Sequence, residues 1–207
     1  MQAFEALRSI TRWQRTPVLA TGFAELDDYL PSGGWPLGVL IEFLVDDVGG
    51  GELSLLLPAV QRAMRVTGWS HWINPPHLPY APALAAAQMP LERLLEIRVN
   101  ALKDQLWAME QSLRSPDCTS CLAWCDAMDE RWLRRLQLAA QKTTSLCVLW
   151  RSQRSALQRS PAALRLRLRA TSLGLELTVL KARAVIKKDT LVLPFERLCL
   201  DRGVGGV

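Results

Sequence analysis

The chain has 207 residues, of which 49% are hydrophobic and 22% charged, so it can bury the core of one globular domain. No apolar run approaches the ~18 residues that a membrane span needs, and residues 1–15 are too polar for a signal peptide. Its five cysteines, an odd number, do not fit a secreted disulfide framework, so we expect reduced thiols and a cytoplasmic protein that contacts no membrane.

The first predicted elements are a helical extension over residues 1–20 and a short helix over 21–30 that leads into a Pro-Ser-Gly-Gly turn. The nearly continuous apolar run 39–45 predicts a strand at the centre of a parallel sheet. A glycine-rich loop follows, and the helical spacing of 53–66 places Pro58 in a first turn or at a kink.

Further strands and helices alternate along the middle of the chain, which is typical of βαβ units and a parallel sheet. The predicted strands lie at 69–73, at a stretch ending at 98–99, at 121–124 and at 146–150. The predicted helices lie at 78–87, 102–113 and 129–142.

The end of the chain has a different pattern. Residues 164–169 and 175–179 alternate apolar and polar side chains, and 191–195 is a third short run. Period-two patterning predicts antiparallel strands at the edge of the sheet. We therefore expect an α/β core over residues 21–200, with a mainly parallel central sheet and a disordered glycine-rich tail at 201–207.

Positive charge is concentrated in the C-terminal part of this core. Residues 151–188 contain ten Arg or Lys and one acid, a local net charge of +9 within a chain of net +5. The predicted basic surface, a candidate site for a partner or DNA, comprises Arg151, Arg154, Arg165, Arg167, Arg169, Lys181, Arg183, Lys187 and Lys188. Charged guarding of an edge strand and contact with an acidic protein are the alternative interpretations.

A strand, a glycine-rich loop and a helix follow one another over residues 39–66. This order is typical of a P-loop. A working P-loop reads G-x-x-x-x-G-K-[ST], because glycines expose backbone N–H groups, lysine offsets phosphate charge and the hydroxyl holds magnesium. With Gly50 as the second motif glycine, Val45 stands at the first, Gly51 at the lysine and Glu52 at the hydroxyl. No shift of register restores the motif, and no lysine precedes Lys103.

Carboxylates make this loop unfavourable for a polyanion. Asp46, Asp47 and Glu52 would face the phosphates, and each repulsion at ~4 Å costs roughly 4 kcal/mol at an effective dielectric of about 20. The degenerate P-loop comprises Val45, Gly49, Gly50, Gly51 and Glu52. Local sequence alone fits a glycine-rich turn without nucleotide ancestry equally well.

The sequence before the loop resembles the start of a RecA-type core. Residues 21–30 match T-G-x-x-x-L-D-x-x-L, and residues 33–42 match G-G-x-P-x-G-x-x-x-E, in the family's order. Residues 72–77 resemble the second strand and its loop, with Pro76 or His77 in place of the family's acid.

Two later segments extend the resemblance to about residue 195. Residues 122–126 resemble the strand that bears the Walker B acid, with Trp124 at the final strand position and Asp126 nearby. Residues 181–183 resemble a basic motif of the late strands. The resemblance implies a three-layer RecA-like fold.

A RecA-like core of this length without the Walker lysine is similar to the ImuA family, in the superfamily that also holds SulA. The resemblance implies a pseudo-ATPase without catalytic activity or cofactor, acting in SOS-induced translesion synthesis, DNA repair and mutagenesis. Its implied partners are ImuB, RecA, an error-prone DNA polymerase assembly, DNA and further copies of itself, in the cytoplasm or at the nucleoid after DNA damage. The alternatives are a SulA-like division inhibitor that binds FtsZ and a residual ATPase that uses Asp126.

The close spacing of three cysteines suggests a metal site at Cys118, Cys121 and Cys125. Zinc needs four ligands, however, and the chain supplies only His71 and His77 as further nitrogen donors. Buried structural thiols are the favoured interpretation, and we expect no metal. The two histidines lie near prolines without a recognised nucleophile, so we predict no catalytic set.

Overall fold

The computed structural model describes residues 16–46, 49–64, 68–183 and 189–198. The strands are β1 (Val18–Leu19), β2 (Trp35–Pro36), β3 (Val39–Val45), β4 (Trp69–Ile73), β5 (Leu94–Ile97), β6 (Cys118–Trp124), β7 (Leu146–Ser152), β8 (Leu164–Thr171), β9 (Gly174–Ala182) and β10 (Leu191–Leu193). The helices are α1 (Ala24–Tyr29), α2 (Leu57–Met64), α3 (Ala81–Ala86), α4 (Leu102–Arg114), α5 (Glu130–Ala140) and α6 (Phe195–Leu198), with single 3-10 segments at Leu91–Arg93 and Gln153–Leu157.

An eight-stranded sheet organises these elements in the order β10-β9-β8-β3-β7-β6-β4-β5. The strands from β8 to β5 run parallel, whereas β9 and β10 pair antiparallel. This arrangement confirms the predicted α/β class, with a mainly parallel central sheet and antiparallel strands at the C-terminal edge. All seven residues of β3 are buried, which explains its nearly continuous apolar sequence.

One prediction about β8 is right only in part. Its alternating sequence indicated an antiparallel edge strand, and β8 does pair antiparallel with β9. It lies inside the sheet, however, between β9 and β3, and pairs parallel with β3. The physical reason is that a period of two reports which face of a strand meets the core, and it carries no information about the neighbouring strand.

The sheet separates two hydrophobic layers. On one face, Phe43 and Trp150 pack with residues of α1, α2 and α3. On the other face, Leu40 packs with Met109 of α4 and Leu136 of α5. Parallel sheets require this double cover, because both faces of their strands are apolar.

Helix boundaries follow local chemistry. Pro58 lies in the first turn of α2, one of the two predicted positions, where its missing N–H breaks no helical hydrogen bond. Asp129 caps α5 by accepting a hydrogen bond of 2.9 Å from the N–H of Trp132. None of the described helices is both long and apolar enough to cross a membrane.

Several boundaries differ from the prediction. The strand that was predicted to end at 98–99 is β5 and ends at Ile97, and β6 starts at Cys118 instead of residue 121. Val18–Leu19, within the predicted extension, forms β1 and pairs with β2. Residues 1–15 of the predicted helical extension and the predicted tail 201–207 lie outside the described residues.

Candidate functional site

The β3–α2 loop, residues 45–52, starts at the carboxyl end of the central strand, where open α/β sheets commonly bind ligands. Residues 47 and 48 lie outside the described part of the chain. Val45 is the last residue of β3 and its side chain is buried in the core. Gly49 and Gly51 have φ angles of 97° and 92°, in the left-handed region that favours glycine.

Glu52 closes this loop from within. The residue is 5% exposed, and its Oε1 accepts a hydrogen bond of 2.7 Å from the backbone N–H of Gly49. A P-loop presents such N–H groups to phosphate. Here a carboxylate of the chain itself binds one of them. The sequence indicated repulsion between Glu52 and a polyanion, but gave no sign of this hydrogen bond.

The C-terminal elements pack closely against the same loop. A Cβ at Gly50 would lie 3.0 Å from the Cβ of Ala170 on β8, which is a tight contact. A Cβ at Gly51 would lie 3.5 Å from side-chain atoms of Phe195 and Leu198 in α6. The loop is therefore enclosed by β8 and α6 as well as by its own carboxylate.

At the neighbouring strand end, Trp124 and Asp126 have structural contacts. The half-buried Trp124 ring stacks on Trp150, with ring centroids 4.4 Å apart and an interplanar angle of 15°. The Asp126 carboxylate accepts a hydrogen bond from the backbone N–H of Ser152, just after the buried part of β7. Asp126 thus holds the end of β7 in place.

A buried ion cluster lies beside the loop on β3, and it was not predicted from the sequence. Glu42 is completely buried, and its two carboxylate oxygens contact two arginines. Arg151 Nη1 lies 3.3 Å from Oε1, and Arg165 Nε lies 2.5 Å from Oε2. The signal that could have suggested the cluster is a single acid inside an otherwise apolar strand, since a buried carboxylate needs a partner.

The two arginines also bind backbone around the carboxyl edge of the sheet. Arg151 Nη2 donates to the carbonyl of Met128 at 2.7 Å, and Arg165 Nη2 donates to the carbonyl of Ser155 at 2.8 Å. The Glu42 cluster, residues 42, 151 and 165, therefore ties β3, β7 and β8 to the segments that follow β6 and β7.

Arg151 and Arg165 were predicted to belong to an exposed basic surface, and this prediction is wrong. They are 2% and 6% exposed. The physical reason is the position of their strands beside β3: Arg165 is paired in register with Glu42, and Arg151 is two residues beyond the partner of Glu42 on β7. Both side chains satisfy one buried carboxylate.

The remaining basic residues present a smaller exposed surface. Arg154 and Arg159 are exposed, as is Arg169, which lies 3.3 Å from Glu176 on β9. Half-buried residues of the predicted surface are Arg167, Lys181 and Arg183, whereas Lys187 and Lys188 lie outside the described ranges. Burial, together with the charge of Arg165, lowers the pKa of Lys181, whose Nζ donates to the carbonyl of Ser160 at 2.5 Å.

Among the described cysteines, Cys118, Cys121 and Cys147 are buried free thiols, and Cys125 is a half-buried one. Cys121 and Cys147 are register partners on β6 and β7, and both are fully buried. Burial raises the pKa of Cys118 to about 12, and contact with Cys147 together with burial raises that of Cys121. Among the residues that the structure describes, no three His, Cys, Asp or Glu side chains are grouped to hold a metal.

Comparison of the sequence with known proteins shows the family to which the chain is related. A sequence model of the cell division inhibitor SulA matches residues 38–147, just over half of the chain. The SulA of Edwardsiella piscicida is 32% identical over 118 residues, covering 55% of this chain and 70% of that protein. The protein ImuA of Caulobacter vibrioides is 30% identical over 132 residues, covering 61% of this chain and 54% of that protein.

These matches support the wider group of SulA and ImuA proteins and do not separate the two. The aligned region spans about half the length of the ImuA relative, and the family match ends at residue 147, before β8 to β10. The expected relationship to ImuA is therefore supported at the level of this group, and the chain belongs to the SulA family.

Proposed function

We propose that the chain is a non-catalytic, RecA-like accessory protein of SOS-induced translesion DNA synthesis that acts by binding ImuB. Relatives named SulA and ImuA support a role of this kind. The observation that carries the non-catalytic part of the proposal is the hydrogen bond between Glu52 and the backbone of Gly49.

Three features favour a RecA-like ancestry for the β3–α2 loop. It follows the central parallel strand, it contains glycines in the left-handed region, and it leads into a helix. A phosphate at this position would compete with the Glu52 carboxylate for the Gly49 N–H and would meet its charge at close range. The proposed protein is a pseudo-ATPase for that reason.

The partner surface that we propose is the exposed basic region around Arg154, Arg159 and Arg169. It lies beyond the segment matched by the SulA family, in the C-terminal part of the chain. Exposed guanidinium groups suit acidic surfaces of ImuB and also the phosphates of DNA. RecA, an error-prone DNA polymerase assembly and further copies of this chain are the other proposed partners.

The test is co-purification of the full chain with ImuB, followed by titration of the two purified proteins. Charge reversal at Arg154 and Arg159 should weaken ImuB binding, and charge reversal at Arg114 and Lys142, near the opposite edge of the sheet, should leave it unchanged. Parallel calorimetry should detect no ATP binding. Absence of an ImuB complex, or measurable ATP turnover that is lost in Asp126→Ala, would contradict the proposal.

A second candidate function is inhibition of cell division by binding FtsZ. The observation in its favour is the match of residues 38–147 to the SulA family. It predicts that the chain blocks FtsZ polymerisation, measured by light scattering, and that overexpression makes cells filament. ImuB binding without any effect on FtsZ polymerisation would reject this candidate.

A further inference from the structure

A large groove lies where the parallel strands of the sheet begin, which we call the amino edge. The β3–α2 loop lies at the opposite, carboxyl edge, where these strands end. Its volume is about 1030 Å³, and it is bordered by the C-terminal ends of α4 and α5 and by the segments that lead into β3, β6 and β7. Ligand pockets for small molecules commonly reach 300–1,000 Å³. The groove is therefore large enough for several side chains of a bound segment.

Apolar side chains form much of the groove. The lining includes Leu19 of β1, Leu37 between β2 and β3, and the almost fully buried Leu113 of α4. Leu138 of α5 also lines the groove and is 56% exposed. The exposed Leu138, beside the half-buried Leu19 and Leu37, offers a place where an apolar side chain of a partner can be buried. Such burial contributes roughly 25 cal/mol per Å² of apolar surface.

Two exposed cations, Arg114 and Lys142, lie on the rim. Neither makes an ion pair or side-chain hydrogen bond with any residue in the described ranges. The other charged lining residues, Arg135 and Glu110, neutralise each other through two hydrogen bonds of 2.9 Å. The side chains therefore leave two uncompensated positive charges at the groove.

The ends of two helices reduce this charge without cancelling it. α4 ends at Arg114 and α5 ends at Ala140, and each helix C-terminus carries about half a negative charge. Together they offset about one of the two positive charges. The groove remains positive, so its complement is a segment with apolar anchors and an excess of carboxylates.

We propose that this groove binds a short acidic segment of a partner protein, with an apolar anchor against Leu138 and carboxylates on Arg114 and Lys142. Residues 1–15 of the chain are a poor complement, because they contain three arginines and one glutamate. The proposal is independent of ImuB binding through the basic C-terminal surface, which lies at the other edge of the sheet.

The test uses a displayed library of random 12-residue peptides, selected on the full-length chain. We expect the enriched peptides to combine a large apolar residue with two or more acids and to bind less tightly as ionic strength rises. The double variant Arg114→Glu/Lys142→Glu should weaken the binding of these peptides at least about tenfold, and Leu138→Ala should weaken it less.

The matched control is Arg154→Glu/Arg159→Glu, which changes the net charge equally at the opposite edge and should leave peptide binding unchanged. Circular dichroism checks the fold of each variant. If Arg114→Glu/Lys142→Glu fails to fold, Arg114→Gln/Lys142→Gln is used in its place. The proposal is overturned if no peptide is enriched or if the enriched peptides lack an acidic excess. It is also overturned if the Arg114/Lys142 variant and the Arg154/Arg159 control bind these peptides with the same affinity. A dimer of this chain that the Arg114 and Lys142 substitutions dissociate would also overturn it, since the occupant would then be a second copy.

Discussion

The buried carboxylates of the carboxyl edge and the cations of the groove at the amino edge are held in opposite ways. At the carboxyl edge, the carboxylates of Glu42 and Glu52 are buried and bonded within the chain. At the amino edge, Arg114 and Lys142 are exposed beside a groove and have no partner in the described part of the chain. The difference teaches that the glycine-rich loop is closed by internal contacts, whereas the groove keeps charges that a partner can reach.

This contrast separates charges that stabilise the fold from charges available to a partner. A buried charge that loses its counter-charge destabilises the folded state strongly, while an exposed charge contributes little. Measured changes in stability can therefore show whether the two edges differ as described.

The largest expected effect is at Glu42. Glu42→Gln leaves two arginines without a counter-charge in the interior, and we expect a loss of about 3–5 kcal/mol in the free energy of unfolding. Urea denaturation measures it. The matched control is Glu110→Gln, whose partner Arg135 is half exposed, with an expected loss of about 1 kcal/mol or less. Equal losses in the two variants would remove the distinction between the edges.

A smaller effect is expected at Glu52. Glu52→Ala removes the acceptor of the Gly49 N–H, and a hydrogen bond to a charged group contributes about 1.5–3 kcal/mol. The same denaturation measurement applies. Glu92→Ala, at an exposed carboxylate in the 3-10 segment after α3, serves as the control and should change stability by less than about 0.5 kcal/mol. An unchanged stability in Glu52→Ala would show that the carboxylate does not close the loop.

His71, on β4 in the interior between the two edges, should give a pH-dependent effect. Burial lowers the pKa of His71 from its ordinary 6.5, so the unfolded chain takes up the proton first as the pH falls. Stability is therefore fully present above about pH 6.5 and is lost as the pH falls from there towards the folded-state pKa. Thermal unfolding across this range should show a weaker pH dependence in His71→Gln, and the exposed His77→Asn should behave like the natural chain.

The smallest effect is expected at the amino edge. Arg114→Gln/Lys142→Gln removes two exposed charges that have no described partner, so the free energy of unfolding should change by less than about 0.5 kcal/mol. A loss comparable with that of Glu42→Gln would assign these residues to stability and would weaken their proposed role in binding a partner.

Much of the fold was predictable because it depends on local patterns. The buried run of β3, the first-turn position of Pro58 and the α/β alternation all follow from residue type and spacing. The pairing of β8 with β3 was not predictable in this way, because the alternation of β8 describes only its faces.

The candidate site was less accessible to sequence reasoning. Arg151 and Arg165 lie 109 and 123 residues from Glu42 in the sequence, and only the order of the strands brings them together. Local composition therefore indicated a basic surface where the fold buries two of its members. The absence of a lysine and a hydroxyl residue at positions 51 and 52 was visible from the sequence, but the hydrogen bond between Glu52 and Gly49 depends on loop geometry.

The Glu42 cluster also limits how this sequence can change. Loss of Glu42 alone leaves two unpaired arginines in the interior, whereas loss of either arginine leaves the other paired with Glu42. An evolutionary path that begins with the replacement of Glu42 must therefore pass through a destabilised protein. Replacing all three by apolar residues removes the charges together. It also leaves the carbonyls of Met128 and Ser155 without these donors, so the segments they hold would have to change as well. Glu42 is therefore the most constrained of the three positions, and the two arginines are constrained together with the segments after β6 and β7.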